Sequence, residues 1–156
     1  MLLSQIANQI STKFNFKIDI DFAEKVERPS FLIYSLNYSE SDISKWITQE
    51  NTLVRIVYYS PLSQDNLPDK DDQEKTLVQL KSIFSSPYID VEEARYHITD
   101  RTYGYSGAAD NNSSSKDIFM QFSLERLKAR DSTEDQTIDL MQDVQININN
   151  NTEEVE

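Results

Sequence analysis

The change of hydrophobic period within the first 20 residues constrains the fold most strongly. The first regularly spaced apolar residues are Leu3, Ile6, Ile10 and Phe14. Their spacings of three and four place them on one stripe of a helix, which predicts an amphipathic α-helix. Phe16, Ile18 and Ile20 then alternate with polar residues, and this period of two predicts a strand. The chain therefore begins as a mixed α and β structure.

Runs of β-branched and aromatic residues predict the next two strands. Residues 31–38 are rich in such residues, and Pro29 sets the earliest start of this strand because proline cannot donate to a ladder. Residues 39–45 are polar and predict a turn or a widened hairpin loop. The next strand region is 46–59, and its apolar residues from 53 onwards occupy both faces, which predicts a central strand.

A second amphipathic helix is predicted after a proline-containing loop at residues 60–70. Asp69 and Asp71 are candidate N-caps, and Asp71 with Glu74 forms a capping-box-like pair. The buried stripe of this helix consists of Leu77, Leu80 and Phe84. Pro87 ends the helix, because the residue before a proline disfavours the α conformation.

Later strands complete the predicted sheet. Residues 88–91 are a short strand or the approach to one, and residues 95–105 are the next strand region. The run Ile118–Leu124 alternates in period two and pairs back across a loop rich in Gly, Asn and Ser. Strands that run together, with helices that come singly, predict an α+β fold. We expect a mostly antiparallel sheet of about five strands with two helices packed on it.

Negative charge is concentrated towards the C-terminus of the sequence. The formal net charge is −12, and the eight acidic residues of 131–156, with no Lys or Arg, account for −8 of it, which leaves −4 for the rest. An apolar pattern persists in this segment at Ile138, Leu140, Met141, Val144, Ile146 and Ile148. We therefore predict a domain over residues 1–130 and an acidic C-terminal arm over 131–156. The arm is expected to be partly disordered, with an apolar spacing that allows helix or strand.

Composition argues against several functional classes. The chain has no cysteine, which excludes disulfides and thiolate metal sites and suits a reducing cytoplasm. An acidic chain lacks the basic footprint that binds phosphate backbones or anionic membranes, so we expect no sequence-specific nucleic-acid binding and no membrane. The first residues lack a basic n-region and a long apolar run, so we also expect no signal peptide.

Common catalytic motifs are missing from the sequence. His97 is the only histidine, which excludes His-pair metal sites, and Gly104 and Gly107 are the only glycines, which excludes phosphate-binding glycine loops. The acidic cluster 69–72 lacks the glycine and terminal glutamate of an EF-hand, and helix capping explains it better. Because 27 acidic residues offer many chance pairs, the sequence does not exclude hydrolysis that uses a pair of carboxylates, but it singles out no such pair. We therefore predict no enzymatic activity, no catalytic residues, no cofactor and no metal.

Three segments follow the first strand in a distinctive order. Glu27–Ile33 has an acid–x–Pro–x–Phe–apolar pattern at the start of the second strand, and Val54–Pro61 leads through a polar loop to the second helix. Residues 95–98 and 118–124 then form the late β pair. This layout, which covers roughly residues 1–130, resembles the tail terminator, or tail completion, proteins of tailed bacteriophages and prophages.

The resemblance implies a structural virion protein without enzymatic activity or cofactor. Such a protein caps the head-proximal end of the tail tube as a hexameric ring, ends tube growth and provides the joint to the head connector. Its expected partners are copies of itself, the tail tube protein and the head–tail connector or stopper protein. It is expected in the virion, in the tail at the head–tail junction, after assembly in the cytoplasm of the host bacterium.

Candidate contact residues come from two loops and from the tyrosines beside them. Most tyrosines suit ordinary half-buried positions of a sheet, but a few suit interface anchors because the ring is amphipathic. By analogy with the family, the loops 60–70 and 104–116 are candidates for contact with the tube or with neighbouring subunits. The candidate ring or tube interface comprises Tyr58, Tyr59, Pro61, Asp65, Asp69, Tyr103, Tyr105, Asp110 and Lys116.

Three alternatives stay open on the sequence alone. Another head–tail connector or an assembly accessory protein has the same composition, and only its stoichiometry and partner separate it from a terminator. A carboxylate-dependent metal-binding or hydrolase domain would bind Ca²⁺ or Mg²⁺. A stand-alone acidic adaptor or DNA mimic would be a monomer or dimer with a basic partner.

Overall fold

The computed structural model describes residues 1–106 and 116–130, which form two helices and six strands. The helices are α1 (Leu2–Ser11) and α2 (Lys70–Ile83). The strands are β1 (Lys17–Ile20), β2 (Ser30–Asp42), β3 (Ile47–Tyr59), β4 (Tyr88–Val91), β5 (Ala94–Ser106) and β6 (Asp117–Ala129). The predicted acidic arm at 131–156 lies outside the described residues.

All six strands belong to one sheet, in the order β1-β2-β3-β6-β5-β4. β1 pairs in parallel with β2, and every other neighbouring pair is antiparallel. The prediction of an α+β fold with a mostly antiparallel sheet and two helices is therefore confirmed. The sheet has one strand more than the five predicted, because the short segment 88–91 pairs with β5 as an edge strand. β3 lies between β2 and β6, in the central place predicted for it.

Both helices pack on one face of the sheet, and this contact forms the core. The predicted stripe of α1 is confirmed at its centre, since Ile6 and Ile10 are fully buried. α2 contributes Leu80 and, just past its last residue, Phe84. The sheet contributes Phe31, Ile33, Val54, Ile56, Tyr58, Met120, Phe122 and Leu124. Burial of a large apolar side chain contributes roughly 1.5–3 kcal/mol, so this face dominates the stability of the fold.

α2 begins at a capped N-terminus. The Asp69 carboxylate accepts hydrogen bonds from the backbone N–H groups of Asp71 and Asp72, at 3.0 and 3.2 Å. Asp69 is therefore the N-cap, as predicted. The other candidate cap, Asp71, lies inside the first turn, where a negative charge is stabilised by the helix dipole.

β2, β3 and β6 continue beyond the part of the sheet that the helices cover. The sequence predicts a turn at residues 39–45, but β2 continues to Asp42 and the connection to β3 spans only residues 43–46. Residues 39–42 of β2 are all polar and exposed, so this stretch has no apolar alternation that could reveal a strand. We call residues 37–53 and 125–130 the sheet extension.

An ion pair in the sheet extension joins β3 to β6. Glu50 is buried and accepts a hydrogen bond from Arg126 on one carboxylate oxygen, while Lys128 Nζ lies 3.8 Å from the other. The hydrogen bond from Arg126 lowers the pKa of the Glu50 carboxyl below its ordinary value. Arg126 also lies over the Tyr96 ring, 5.1 Å from its centre. These contacts fix the sheet extension to the body of the sheet.

Candidate interaction surfaces

One end of the sheet brings most of the predicted contact residues together. The end of β3, the start of β6 and the end of β5 are adjacent there, since Tyr58 pairs with Ile118 and Ile118 pairs with Tyr105. The loop of residues 60–70 leaves β3 at the same end. We call residues 59–70, 103–106 and 116–118 the loop end.

Tyr58 belongs to the core. Its side chain is 0% exposed, its ring centre lies 4.9 Å from that of Phe31, and its hydroxyl donates a hydrogen bond to Asp72 at 2.6 Å. Burial raises the pKa of the Tyr58 hydroxyl well above its ordinary value, and the bond to Asp72 adds to this effect. Tyr58 therefore fixes α2 to the sheet, and we leave it out of the proposed contact surface.

Tyr59 lies on the opposite face of β3, beside an ion pair. Arg28 donates hydrogen bonds to both oxygens of the Asp117 carboxylate, at 2.7 and 2.9 Å, and another to the Ser60 carbonyl at 2.9 Å. The Arg28 guanidinium lies 5.5 Å from the centre of the Tyr59 ring. Burial raises the pKa of the Tyr59 hydroxyl, and the negative charge of Asp117 raises it further. This cluster joins the starts of β2 and β6 to the end of β3.

The loop of residues 60–70 folds back towards β3 before α2 begins. The Asp69 N–H donates a hydrogen bond to the Pro61 carbonyl at 2.9 Å, which closes the loop. Pro61 is half-buried and Asp65 is exposed, whereas Asp69 is engaged as the cap of α2. Asp110, the predicted contact residue of the later loop, lies outside the described residues.

Two exposed tyrosines lie beside α2 at the loop end. Tyr103 is 39% and Tyr105 49% exposed, and the ammonium groups of Lys81 and Lys70 lie 4.3 and 4.5 Å from the respective ring centres. The Lys116 carbonyl accepts a hydrogen bond from the Lys70 ammonium at 3.2 Å, which ties the start of β6 to α2. The structure therefore places Tyr105 and Lys116 beside Lys70 at the start of α2, and Tyr103 beside Lys81 further along the same helix.

The sequence patterns did not indicate the sheet extension as a contact surface. Its exposed large apolar side chains are Tyr38, Ile43, Trp46, Ile47 and Leu127. Trp46 is 56% and Leu127 67% exposed. Large apolar side chains grouped at one end of a sheet are typical of surfaces that bind other proteins. The one signal in the sequence was the pair of apolar residues 46 and 47 directly after a polar turn.

The sheet face away from the helices is polar at its centre. Arg55 donates two hydrogen bonds to the Gln121 side chain, at 2.7 and 3.0 Å, and its guanidinium lies 4.3 Å from the centre of the Phe119 ring. The same ring covers Gly104, where a methyl group would lie 2.9 Å from Phe119 Cζ. A side chain at position 104 therefore requires the Phe119 ring to move.

The acidic residues do not gather into a metal site within the described ranges. In residues 1–106 and 116–130, no group of three or more His, Asp and Glu residues is arranged to hold a metal ion. His97 is exposed and packs beside Tyr88, with 5.2 Å between the ring centres. None of the helices in these ranges combines the length and the apolar character needed to span a membrane.

Comparison with known proteins gives one family. A family model described as phage tail terminator protein matches residues 2–108, which is more than half of the chain and extends from α1 through β5. No curated protein matches the chain. The matched range includes the 60–70 loop and the β2–β3 part of the sheet extension.

Proposed function

Because the chain belongs to the phage tail terminator protein family, we propose that it caps the head-proximal end of the tail tube as a hexameric ring. In this role it ends tube growth and provides the joint to the head connector or stopper protein. Family membership itself makes the chain a structural component of the phage tail with a role in tail completion, in contact with other tail and head proteins. The match over residues 2–108 is the observation that carries the proposal.

We assign the contacts between ring subunits to the sheet extension. A closed ring uses two complementary faces on every subunit, and each face needs apolar area at its centre. The exposed side chains of Trp46 and Leu127 offer such area, and tryptophan is enriched among residues that dominate binding energy. The pairing of Glu50 with Arg126 holds this surface in one conformation, so that little conformational entropy is lost on binding.

We assign the contacts with the tail tube and the connector to the loop end. Its accessible candidates are Tyr59, Pro61, Asp65, Tyr103, Tyr105 and Lys116. Tyrosine rings provide a large contact area at a low cost in side-chain entropy. Asp69 acts indirectly in this proposal, because it fixes the start of α2 beside the loop.

The same proposal includes the domain boundaries of the chain and the place where the ring assembles. Residues 1–130 form the ring, and residues 131–156 are an appended acidic segment. Rings then assemble on tail tubes in the cytoplasm of the host bacterium and remain in the virion at the head–tail junction.

Light scattering over a concentration series tests the ring. Six chains of 18.1 kDa give a mass of about 109 kDa, which we expect at high concentration. Trp46→Ser should shift the mass towards that of a single chain. Val78→Ser removes a similarly exposed apolar side chain from α2 and should leave the mass unchanged. A wild-type chain that stays at 18.1 kDa both alone and with tail tubes contradicts the proposal.

A further inference from the structure

The sheet has a step at each of its two edges. β1 pairs with β2 only from Ser30 to Ile33, and no other described strand lies on that side of β2. β4 pairs with β5 only from Ala94 to His97, and no other described strand lies on that side of β5. β1 and β4 have four residues each, whereas β2 and β5 have 13. The uncovered part of each long strand offers N–H and C=O groups to a further strand.

The two steps lie at matching levels along the strands. One row of directly paired residues crosses the sheet through Ser39, Asn51, Glu125, His97 and Tyr88. β4 begins at Tyr88, so it is level with residues 39–42 of β2, which β1 leaves uncovered. A second row crosses through Ile20, Ile33, Ile56, Met120 and Tyr103. β1 ends at Ile20, so it is level with residues 103–106 of β5, which β4 leaves uncovered.

Strand direction allows the two stepped edges to fit together. β4 runs in the same direction as β2, because four antiparallel pairings separate them. A second copy in the same orientation beside β2 therefore brings its β4 next to residues 39–42, as a parallel pair. The same placement brings residues 103–106 of that copy next to β1, as an antiparallel pair. β1 of one copy and β4 of the other then lie end to end and together fill one strand position between β2 and β5.

We propose that the occupant of each stepped edge is the opposite stepped edge of a second copy of this chain. Residues 88–91 of one subunit pair with residues 39–42 of the next, and residues 103–106 pair with residues 17–20. The sheet then continues from subunit to subunit. This inference rests on the ring proposed above and names the surface that is complementary to the β2 edge of the sheet extension.

Side chains at the step between β1 and β5 suit this contact. Ile20 and Tyr103 are 38% and 39% exposed and lie in the same row. Both lie on the face that carries the helices, because Ile20 pairs with the buried Ile33 and Tyr103 with the buried Met120. In the proposed contact they become direct neighbours, and a pair of an aromatic and a β-branched residue is favourable across strands.

Charges at the step between β2 and β4 do not oppose the contact. Residues 39–42 read Ser-Glu-Ser-Asp and residues 88–91 read Tyr-Ile-Asp-Val, so each acidic residue lies opposite an uncharged one. The charge of Asp90 is also matched within its own chain, since Arg95 donates hydrogen bonds to both carboxylate oxygens at 2.7 and 3.1 Å. The contact therefore places no like charges directly across from each other.

The matching levels also favour a closed ring. Both steps are four residues high, so neighbouring copies fit without a shift along the strands. A head-to-tail contact closes into a ring when it repeats by rotation alone, whereas an added shift produces a helical filament. Closure also covers every stepped edge, which removes the sites where further chains could add.

Disulfide formation between introduced cysteines tests the pairing, because the chain has no cysteine of its own. The two variants are Ser41→Cys/Asp90→Cys and Ile20→Cys/Tyr103→Cys, and all four positions are exposed. Within one chain each pair is four strand spacings apart, about 19 Å, whereas a disulfide requires Cα atoms within about 7 Å. A disulfide in either variant therefore joins two copies. Ser41→Cys/Val78→Cys carries the same number of thiols but one of them on α2, and it is the matched control.

The rings are first measured by light scattering under reducing conditions, alone and on tail tubes, and are then oxidised. We expect both variants to give a ladder of up to six chains on a non-reducing gel, and a single chain after dithiothreitol. The cross-linked fraction should be at least about tenfold higher than in the control, since only facing strands bring the thiols within reach. Ser41→Cys alone should stay a single chain, and a dimer of it overturns the proposal because equal edges then face each other.

Failure of this inference and failure of the ring are distinguishable. Rings of six chains in which either cysteine pair stays unlinked overturn the pairing of the stepped edges but leave the proposed function intact. A chain that stays at 18.1 kDa under reducing conditions, both alone and with tail tubes, contradicts the ring and the edge pairing together.

Discussion

Replacing Asp69 by alanine separates a structural role of this residue from a direct role in contact. Its carboxylate accepts two hydrogen bonds at the start of α2, from the N–H groups of Asp71 and Asp72. Loss of an N-cap side chain costs about 0.5–2 kcal/mol, and because two bonds are lost here we expect about 1–2 kcal/mol for Asp69→Ala. Asp69→Asn keeps an acceptor at the same position and should cost less than about 0.5 kcal/mol.

Urea unfolding followed by far-UV circular dichroism measures this difference. With a slope of about 1–3 kcal/mol per molar urea, a loss of about 1.5 kcal/mol lowers the midpoint by roughly 0.5–1.5 M. The protein concentration must be equal in all samples, because assembly adds to the apparent stability. Asp65→Ala, an exposed acidic residue of the same loop, is the control and should stay within about 0.5 kcal/mol of the wild type. If Asp69→Asn is as unstable as Asp69→Ala, the capping argument is refuted.

Three further changes test other parts of the structure. Glu50→Gln leaves Arg126 without its charged partner and should cost about 1–3 kcal/mol at pH 7. Because the folded-state pKa of Glu50 is lowered from 4.5, the advantage of the wild type is complete above about pH 5.5. This advantage should disappear as the pH falls through the lower folded-state pKa of Glu50. If the thermal midpoints of the wild type and Glu50→Gln differ by the same amount from pH 7 to pH 3, the prediction is wrong. Gly104→Ala should destabilise by about 1–3 kcal/mol, since the added methyl meets Phe119, and Phe119→Leu should recover part of the loss in a double-mutant cycle. Trp46→Ser should change the unfolding free energy of the subunit by less than about 0.5 kcal/mol, because the side chain is exposed. It should weaken the ring at least about tenfold in light scattering, and unchanged assembly counts against the sheet extension as the subunit contact.

Periodicity predicted the elements that are buried on one side only. Ile6 and Ile10 face the sheet as their helical spacing required, and the alternating run Ile118–Leu124 lies within β6. The far half of β2 could not be predicted in this way, because both faces of residues 39–42 are exposed and the sequence there resembles a loop. These residues are a strand because they pair with β3, which is a tertiary effect that overrides local preference.

The candidate surface was predictable only where alternation decides which face a side chain occupies. Tyr58 shares a face with the buried Ile56, but this strand is apolar on both faces, so alternation alone did not separate Tyr58 from Tyr59. The contact of Arg28 with Asp117 joins residues 89 positions apart, and no local pattern indicates such a pair. The sheet extension became visible as a surface only once β3 was known to pair with β6.

Growth of tail tubes in the presence of the purified chain tests the central claim most directly. Tail tube protein of the same phage is polymerised, the gold-labelled chain is added, and tube length and label position are determined by electron microscopy. We predict that elongation stops and that the label lies at one end of each tube, as one ring of six chains. Tubes that continue to elongate, or that carry the label along their sides, contradict the assignment of this chain as the terminator of the tube.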